Sequence, residues 1–287
     1  MPAAPMRRLL LSAALMLALA PAAEATTAPA AGPLARLRGD VRTVGGDLAA
    51  VLRDEVAPST PERAGYLAAL GASSLALERR KESLRGDVLR SDLFADSGWT
   101  QVGGELGLSR NVELFAAGLY LGGLGADLPR TRETGLLIGE SLLAAQTGAG
   151  LLNYGLAERR PQDGGELRYF RRGGHAASIH VTNTVALARV LDHQLAAAGR
   201  GGRALPLLRA AVYAIPAVTA WQRLRADQHF LWNDVLGGGA SLYLTNAVLR
   251  AHDRRAPQVA AQSPRVSFFA APSARSHGGD LLIAMSW

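Results

Sequence analysis

Apolar residues recurring at intervals of three and four, in segment after segment, constrain this chain more than any other feature. Leu34, Leu37, Val41, Val44, Leu48, Val51 and Leu52 keep that spacing, which gathers them on one face of an α-helix. Pro58 and Pro61 interrupt the pattern, and Ser59 or Thr60 can cap a second helix, expected to reach about Glu82. Leu84 to Val112 reads as mixed, loosened by Gly98, Gly103, Gly104 and Gly107, and Val112 to Gly125 as apolar and rich in small residues. Helical patterns return over Thr131 to Asn153, Ala176 to Ala198, Ala204 to Arg225 and Val235 to Arg250, with a kink expected at Pro216. A polar Gly- and Arg-rich loop separates the first two of these, from Glu158 to Gly174. No uncharged apolar run reaches the ~18 residues that argue a membrane span. The expectation is an all-α helical bundle. After Pro257 the residues alternate instead, and Arg265 to Ala271 and Asp280 to Trp287 read as a short C-terminal β-hairpin.

Residues 1–25 carry Arg7 and Arg8, then an apolar stretch from Leu9 to Ala20, then Ala23-Glu24-Ala25. That order is the layout of a secretory signal peptide, so export to the periplasm is expected. The remainder divides into an N-terminal helical region, 26–92, a bundle, 93–252, and a tail with the hairpin, 253–287. The chain has no cysteine, which excludes disulfides, thiol catalysis and Cys-ligated zinc. Its formal charge is +7 and Lys81 is its only lysine. Basic exported proteins meet anionic lipid, phosphorylated substrates or nucleic acid; here the arginines are dispersed, without an aromatic-interleaved stripe, so no nucleic-acid partner is expected. A phosphorylated small molecule or lipid head group, with association at a membrane surface, fits better.

Charged and polar residues concentrate between Trp221 and Gly239. Arg223 and His229 lie six apart, about 600° around a continuous helix, so they share a target only if the helix ends near Arg225 and a turn carries His229. Asp234 then opens the next helix. Arg223 and Asp227 could equally form a solvated i,i+4 pair. Upstream, Arg160 precedes Pro161, and a proline holds the residue before it extended. Ser178 is a candidate N-cap that would place His180 in the first helical turn, where free N–H groups favour an anion. His175 lies in the glycine loop beside Gly174.

In this order, Arg-Pro, then a small-residue and histidine element opening a helix, then Arg-x5-His followed by Asp-Val-Leu-x-Gly, the chain resembles the type-2 phosphatidic acid phosphatase superfamily. That superfamily includes periplasmic acid phosphatases and vanadium haloperoxidases. The resemblance spans about Leu93 to Leu249, with its motifs between residues 153 and 238. It implies that Arg160 and Arg223 clamp phosphate oxygens and that His229, oriented by Asp234, forms a phosphohistidine. His180 or His175 would protonate the leaving alcohol and later activate water, while Ser178, Gly174 and Asn153 would contact the phosphate. The chain departs from the family pattern K-x6-R-P, P-S-G-H, S-R-x5-H-x3-D at several points. Asn153 stands where the lysine would be, Gln222 replaces the serine, and strict spacing puts the aspartate on Asn233, one residue before Asp234. Restoring the lysine, Asn153→Lys, is expected to raise kcat/KM about tenfold, because a charge-assisted hydrogen bond exceeds a neutral one.

The activity implied is an exported, metal-independent phosphatase acting on phosphomonoesters or lipid (pyro)phosphates. No cofactor is implied, although vanadate can occupy such a site as a phosphate mimic. The competing reading is a non-catalytic protein of the same fold that binds lipid or phosphate at the cell envelope. Only His175 and His180 approach the compact spacing of zinc ligands, no Gly-x-Ser-x-Gly elbow is present, and His193, His252 and His277 sit in polar surroundings.

Overall fold

The computed structural model describes residues 32–55, 57, 59–91, 99–198, 204–262, 265–272 and 279–286. The signal-peptide segment, His277 and Trp287 lie outside them. The described chain is a helical bundle followed by a hairpin. Its helices are α1 (Pro33–Ala50), continued by a π turn (Val51–Glu55), α2 (Pro61–Glu78), α3 (Lys81–Arg90), α4 (Trp99–Gly107) and α5 (Ser109–Gly125). After these come α6 (Pro129–Gly155), α7 (Ile179–Ala197), α8 (Ala204–Arg225) and α9 (Leu231–Gln262).

Helix α7 is the centre of the bundle. It buries Val181, Thr182, Asn183, Thr184, Ala186, Leu187, Ala188, Val190, Leu191, Asp192, Gln194 and Leu195, which leaves almost no solvent face, the pattern of a helix enclosed by others. Helices α4, α5, α6 and α8 pack on it. So does α9, and there the contact depends on a missing side chain. A Cβ on Gly237 would lie 2.9 Å from Ser178 N and 3.0 Å from Thr182 Oγ1, so glycine alone lets α9 reach the first turn of α7.

Three sequence expectations change in the fold. The helix expected to run from Pro61 to about Glu82 breaks at Arg79 and Arg80, and α3 starts afresh at Lys81. The break redirects Lys81 into the protein, where Nζ donates to Glu158 Oε1 and to Gly165 O, both at 2.8 Å. The glycine-rich stretch read as loose is helical in α4. Asp227 pairs not with Arg223 but with Arg85, whose Nε and Nη2 reach its two oxygens at 2.7 Å. Beside it, Arg225 Nη1 donates to the carbonyls of Val88, Leu89 and Ser91, satisfying the orphan acceptors that end α3. The cap expected before the second helix forms. Thr60 caps α2 by accepting from Arg63 N, and α8 continues through Pro216.

Helix α6 is long and apolar enough to cross a membrane, with mean hydropathy 1.3 over its best window and 44% of that window buried. It also supplies Leu137, Ile138, Leu142, Ala145 and Ala149 to the core, and such core duty produces the same hydropathy. The bundle ends at Leu249, and Arg250–Trp287 form a second unit. Within that unit β1 (Arg265–Pro272) and β2 (Gly279–Ser286) pair antiparallel, Arg265 opposite Ser286 and Pro272 opposite Gly279.

Candidate active site

Three chain reversals place the charged residues. The first follows α6. Arg160 is extended, φ −61° and ψ 153°, as the proline after it requires. Its carbonyl accepts from Asp163 N and Gly165 N at 2.9 and 3.0 Å, so the residue is held at the base of a tight turn. The second reversal leads into α7. Ser178 occupies the N-cap position but its hydroxyl caps nothing; its backbone N–H donates to Asn233 O at 3.2 Å. The third joins α8 to α9. The helix stops at Arg225, Asp227 takes a left-handed φ of 53°, and Gln228 N returns to Arg223 O at 3.1 Å. This turn lets Arg223 and His229 face one spot, as their spacing required.

The guanidiniums of Arg160 and Arg223, 63 positions apart in sequence, share one acceptor. Gln228 Oε1 accepts from Arg160 Nη1 and, at a long 3.5 Å, from Arg223 Nη2. His229 is 6% exposed, and its ring meets that of His175 edge-on with centroids 6.3 Å apart. Three buried donors or acceptors here, Arg160 Nε, Arg223 Nε and His229 Nδ1, have no hydrogen-bond partner. Buried polar atoms are rarely left so, and a cluster of them marks a place built for something else to complete.

The electrostatics follow from burial among cations. His229 is held well below the usual imidazole range, by burial first and then by Arg223, His175, Arg160 and His180. His180 is pushed down to about 4 by burial, with Arg223 and Arg160 adding to it. His175 is lowered by burial and Arg160. All three imidazoles are therefore neutral near pH 7, and a neutral imidazole keeps the lone pair that a nucleophile needs. Asp234 is pushed up to about 8 by burial, against a weaker pull from Ser178 and Arg223. The Ser178 hydroxyl faces it at a geometry short of a full hydrogen bond.

The structure thus gathers Arg160, His175, Ser178, His180, Arg223, His229 and Asp234. Other expected roles are placed differently. Asp234 turns its carboxyl to Ser178 and Arg223, and no hydrogen bond links it to His229 Nδ1. Asn153 is engaged at both ends of its amide, accepting from Ala177 N at 2.6 Å and donating to Ala177 O at 3.1 Å. It fixes the peptide that leads to Ser178. Gly174 packs against α6, since a Cβ there would fall 2.0 Å from Asn153 O and 2.5 Å from Ala157 Cα.

Several residues that matter here carry no local sequence signal. Glu158, 1% exposed, takes Lys81 on Oε1 at 2.8 Å and Asn233 Nδ2 on Oε2 at 2.7 Å. Asn233 also accepts from Phe230 N at 2.7 Å and donates to Ala176 O at 3.1 Å, so it binds all three reversals together. Gly107 of α4 admits His180, whose Cβ would lie 2.6 Å from a Cβ at that position. The sequence showed two members of the Glu158 network, the solitary lysine and Asn233 at the aspartate position of the family pattern, without showing that they meet.

No family model and no curated protein matches the chain. Among solved structures it is similar to the first transmembrane PAP2-type phosphatidylglycerolphosphate phosphatase from Bacillus subtilis. The match covers 77% of this chain and 96% of that one, at 12% identity and a TM-score of 0.44.

Proposed function

We propose that the chain is an exported phosphatase of the type-2 phosphatidic acid phosphatase kind, acting on phosphomonoesters or lipid (pyro)phosphates through a phosphohistidine at His229. One observation carries the reading: Arg160 and Arg223 converge on a single oxygen beside a buried, neutral histidine. Two planar guanidiniums sharing one acceptor suit a tetrahedral oxyanion.

In the first step the His229 lone pair forms an N–P bond as the P–O bond to the leaving group breaks. The departing alkoxide takes a proton from His180 or His175. Both are neutral without substrate, and the negative charge of a bound phosphate raises their pKa toward the range of a working acid. In the second step the same histidine removes a proton from water, whose oxygen attacks phosphorus and breaks the N–P bond. The arginines stabilise charge on the non-bridging oxygens throughout. No step is assigned to a metal. Asp234 makes no hydrogen bond to His229, so it is given no charge-supporting role toward that ring.

Association with an anionic membrane surface is part of the proposal. Tyr154 in the last turn of α6 and Tyr169 and Phe170 in the loop after it are 51%, 59% and 73% exposed, with Arg171 and Arg172 exposed next to them. Aromatic rings beside arginines suit the headgroup region. The second reading, a phosphate-binding protein without turnover, is favoured by the missing His229–Asp234 bond. Hydrolysis of p-nitrophenyl phosphate and rapid-quench labelling with 32P-substrate separate the two. Turnover with an acid-labile label that disappears in His229→Ala is the expected result. Turnover undiminished in His229→Ala rules out the mechanism, and tight phosphate binding without turnover selects the second reading.

A further inference from the structure

Gln228 directly precedes His229, and its carboxamide is held at both ends. Its oxygen takes Arg160 Nη1 and Arg223 Nη2. Its nitrogen donates to Gln162 Oε1 at 2.9 Å and to Ala226 O at 3.3 Å. Gln162 lies in the short 3-10 turn Pro161–Asp163 beside Arg160 and is exposed. The pair of glutamines therefore bridges the reversal carrying Arg160 and the reversal carrying Arg223. An amide oxygen resembles a phosphate oxygen in being a compact acceptor with two lone pairs, yet it brings no charge. The backbone of the turn is anchored independently, through Gln228 N to Arg223 O at 3.1 Å, so the side chain can swing out without moving His229.

We propose that Gln228 is a specificity-determining residue that competes internally for the oxyanion subsite, its carboxamide oxygen occupying the position that one phosphate oxygen takes between Arg160 and Arg223. The inference rests on the phosphate-site reading above and deepens it. A ligand must displace the amide before both arginines can engage it. The apparent affinity of any oxyanion falls by the fraction of molecules in which the amide has left. A small anion such as free phosphate meets that cost with its oxygens alone. A substrate with a further group binding outside the clamp offsets it. The competition thus disfavours retention of the inorganic product and selects substrates that extend beyond the phosphate.

The test is titration of the full chain with orthovanadate and with inorganic phosphate, by calorimetry, for wild type, Gln228→Ala, Gln162→Ala and Gln228→Glu. Gln228→Ala is expected to bind about tenfold tighter, which corresponds to about 1.4 kcal/mol. Gln162→Ala, which removes one anchor of the amide, is expected to tighten binding by a smaller factor. Gln228→Glu is expected to weaken it more than tenfold, because a carboxylate competes with charge as well as geometry. Loss of packing weakens binding in every variant, so tightening in the alanine variants with weakening in the glutamate variant separates competition from structure. If folded Gln228→Ala binds no tighter than wild type, or Gln162→Ala does not tighten, Gln228 is no competitor and the inference fails while the phosphate site stands. If neither wild type nor any variant binds either anion, the phosphate reading fails and takes this inference with it.

Discussion

Replacing Lys81 with methionine keeps the length of the side chain and removes its charge from beneath the site. Lys81 Nζ lies 2.8 Å from Glu158 Oε1 and 5.0 Å from the centre of the Phe230 ring. At 2.8 Å and an effective dielectric of 20 the attraction is about 6 kcal/mol, most of it offset by the desolvation of both ions. The net worth of the pair is small. Breaking it is another matter, because Glu158 is 1% exposed and a buried carboxylate without its cation costs about 3–5 kcal/mol. For a chain of this size that is a fall in Tm of about 6–20 °C. The pH dependence identifies the cause. Burial already holds Glu158 above the usual carboxylate range, against Lys81 and Asn233, and loss of Lys81 raises it further. A group whose folded pKa is raised contributes stability that is present below its unfolded pKa and lost as pH rises through the folded value. The deficit relative to wild type is therefore smallest in acid and fully developed above the folded pKa of Glu158. Urea unfolding at pH 5 and pH 8 measures it, with Glu158→Gln and the double variant completing a cycle. The double variant should recover most of the loss, since two neutral groups need no ion pair. A deficit below about 1 kcal/mol, or one that is equal at both pH values and persists in the double variant, refutes this account of the network.

Asn153→Lys removes both hydrogen bonds that hold the Ala177 peptide, so it should cost about 1–3 kcal/mol and lower kcat/KM, the reverse of what motif comparison suggests; urea unfolding with phosphatase kinetics decides, and a gain in kcat/KM at intact stability contradicts the structural role. Oxyanion binding should take up protons near pH 6, because His180 at about 4 is neutral in the free protein and rises when a negative charge enters beside it. Calorimetry of vanadate binding in buffers of different ionisation enthalpy reads the uptake directly, and binding heats independent of buffer would show that no imidazole responds.

The parts of this protein that can be read along the chain are those whose causes are local. A period of three and four residues makes helices wherever they fall, Pro161 holds Arg160 extended, and the end of α8 near Arg225 follows from the need for Arg223 and His229 to face one spot. Ser178 was legible as the position where α7 starts, but its hydroxyl does not cap that helix. Tertiary packing decided the rest. The helix break at Arg79 answers a carboxylate 77 positions after Lys81, and Asp227 finds Arg85 rather than its helical neighbour. Gly103, Gly104 and Gly107, read as loosening a mixed stretch, are where α4 presses against other helices. Asn153 and Gly174, read as phosphate contacts, support the backbone behind the site. A side chain's chemistry is encoded at its own position. Which partner it meets depends on the faces that distant helices bring together, and no short window of sequence contains both.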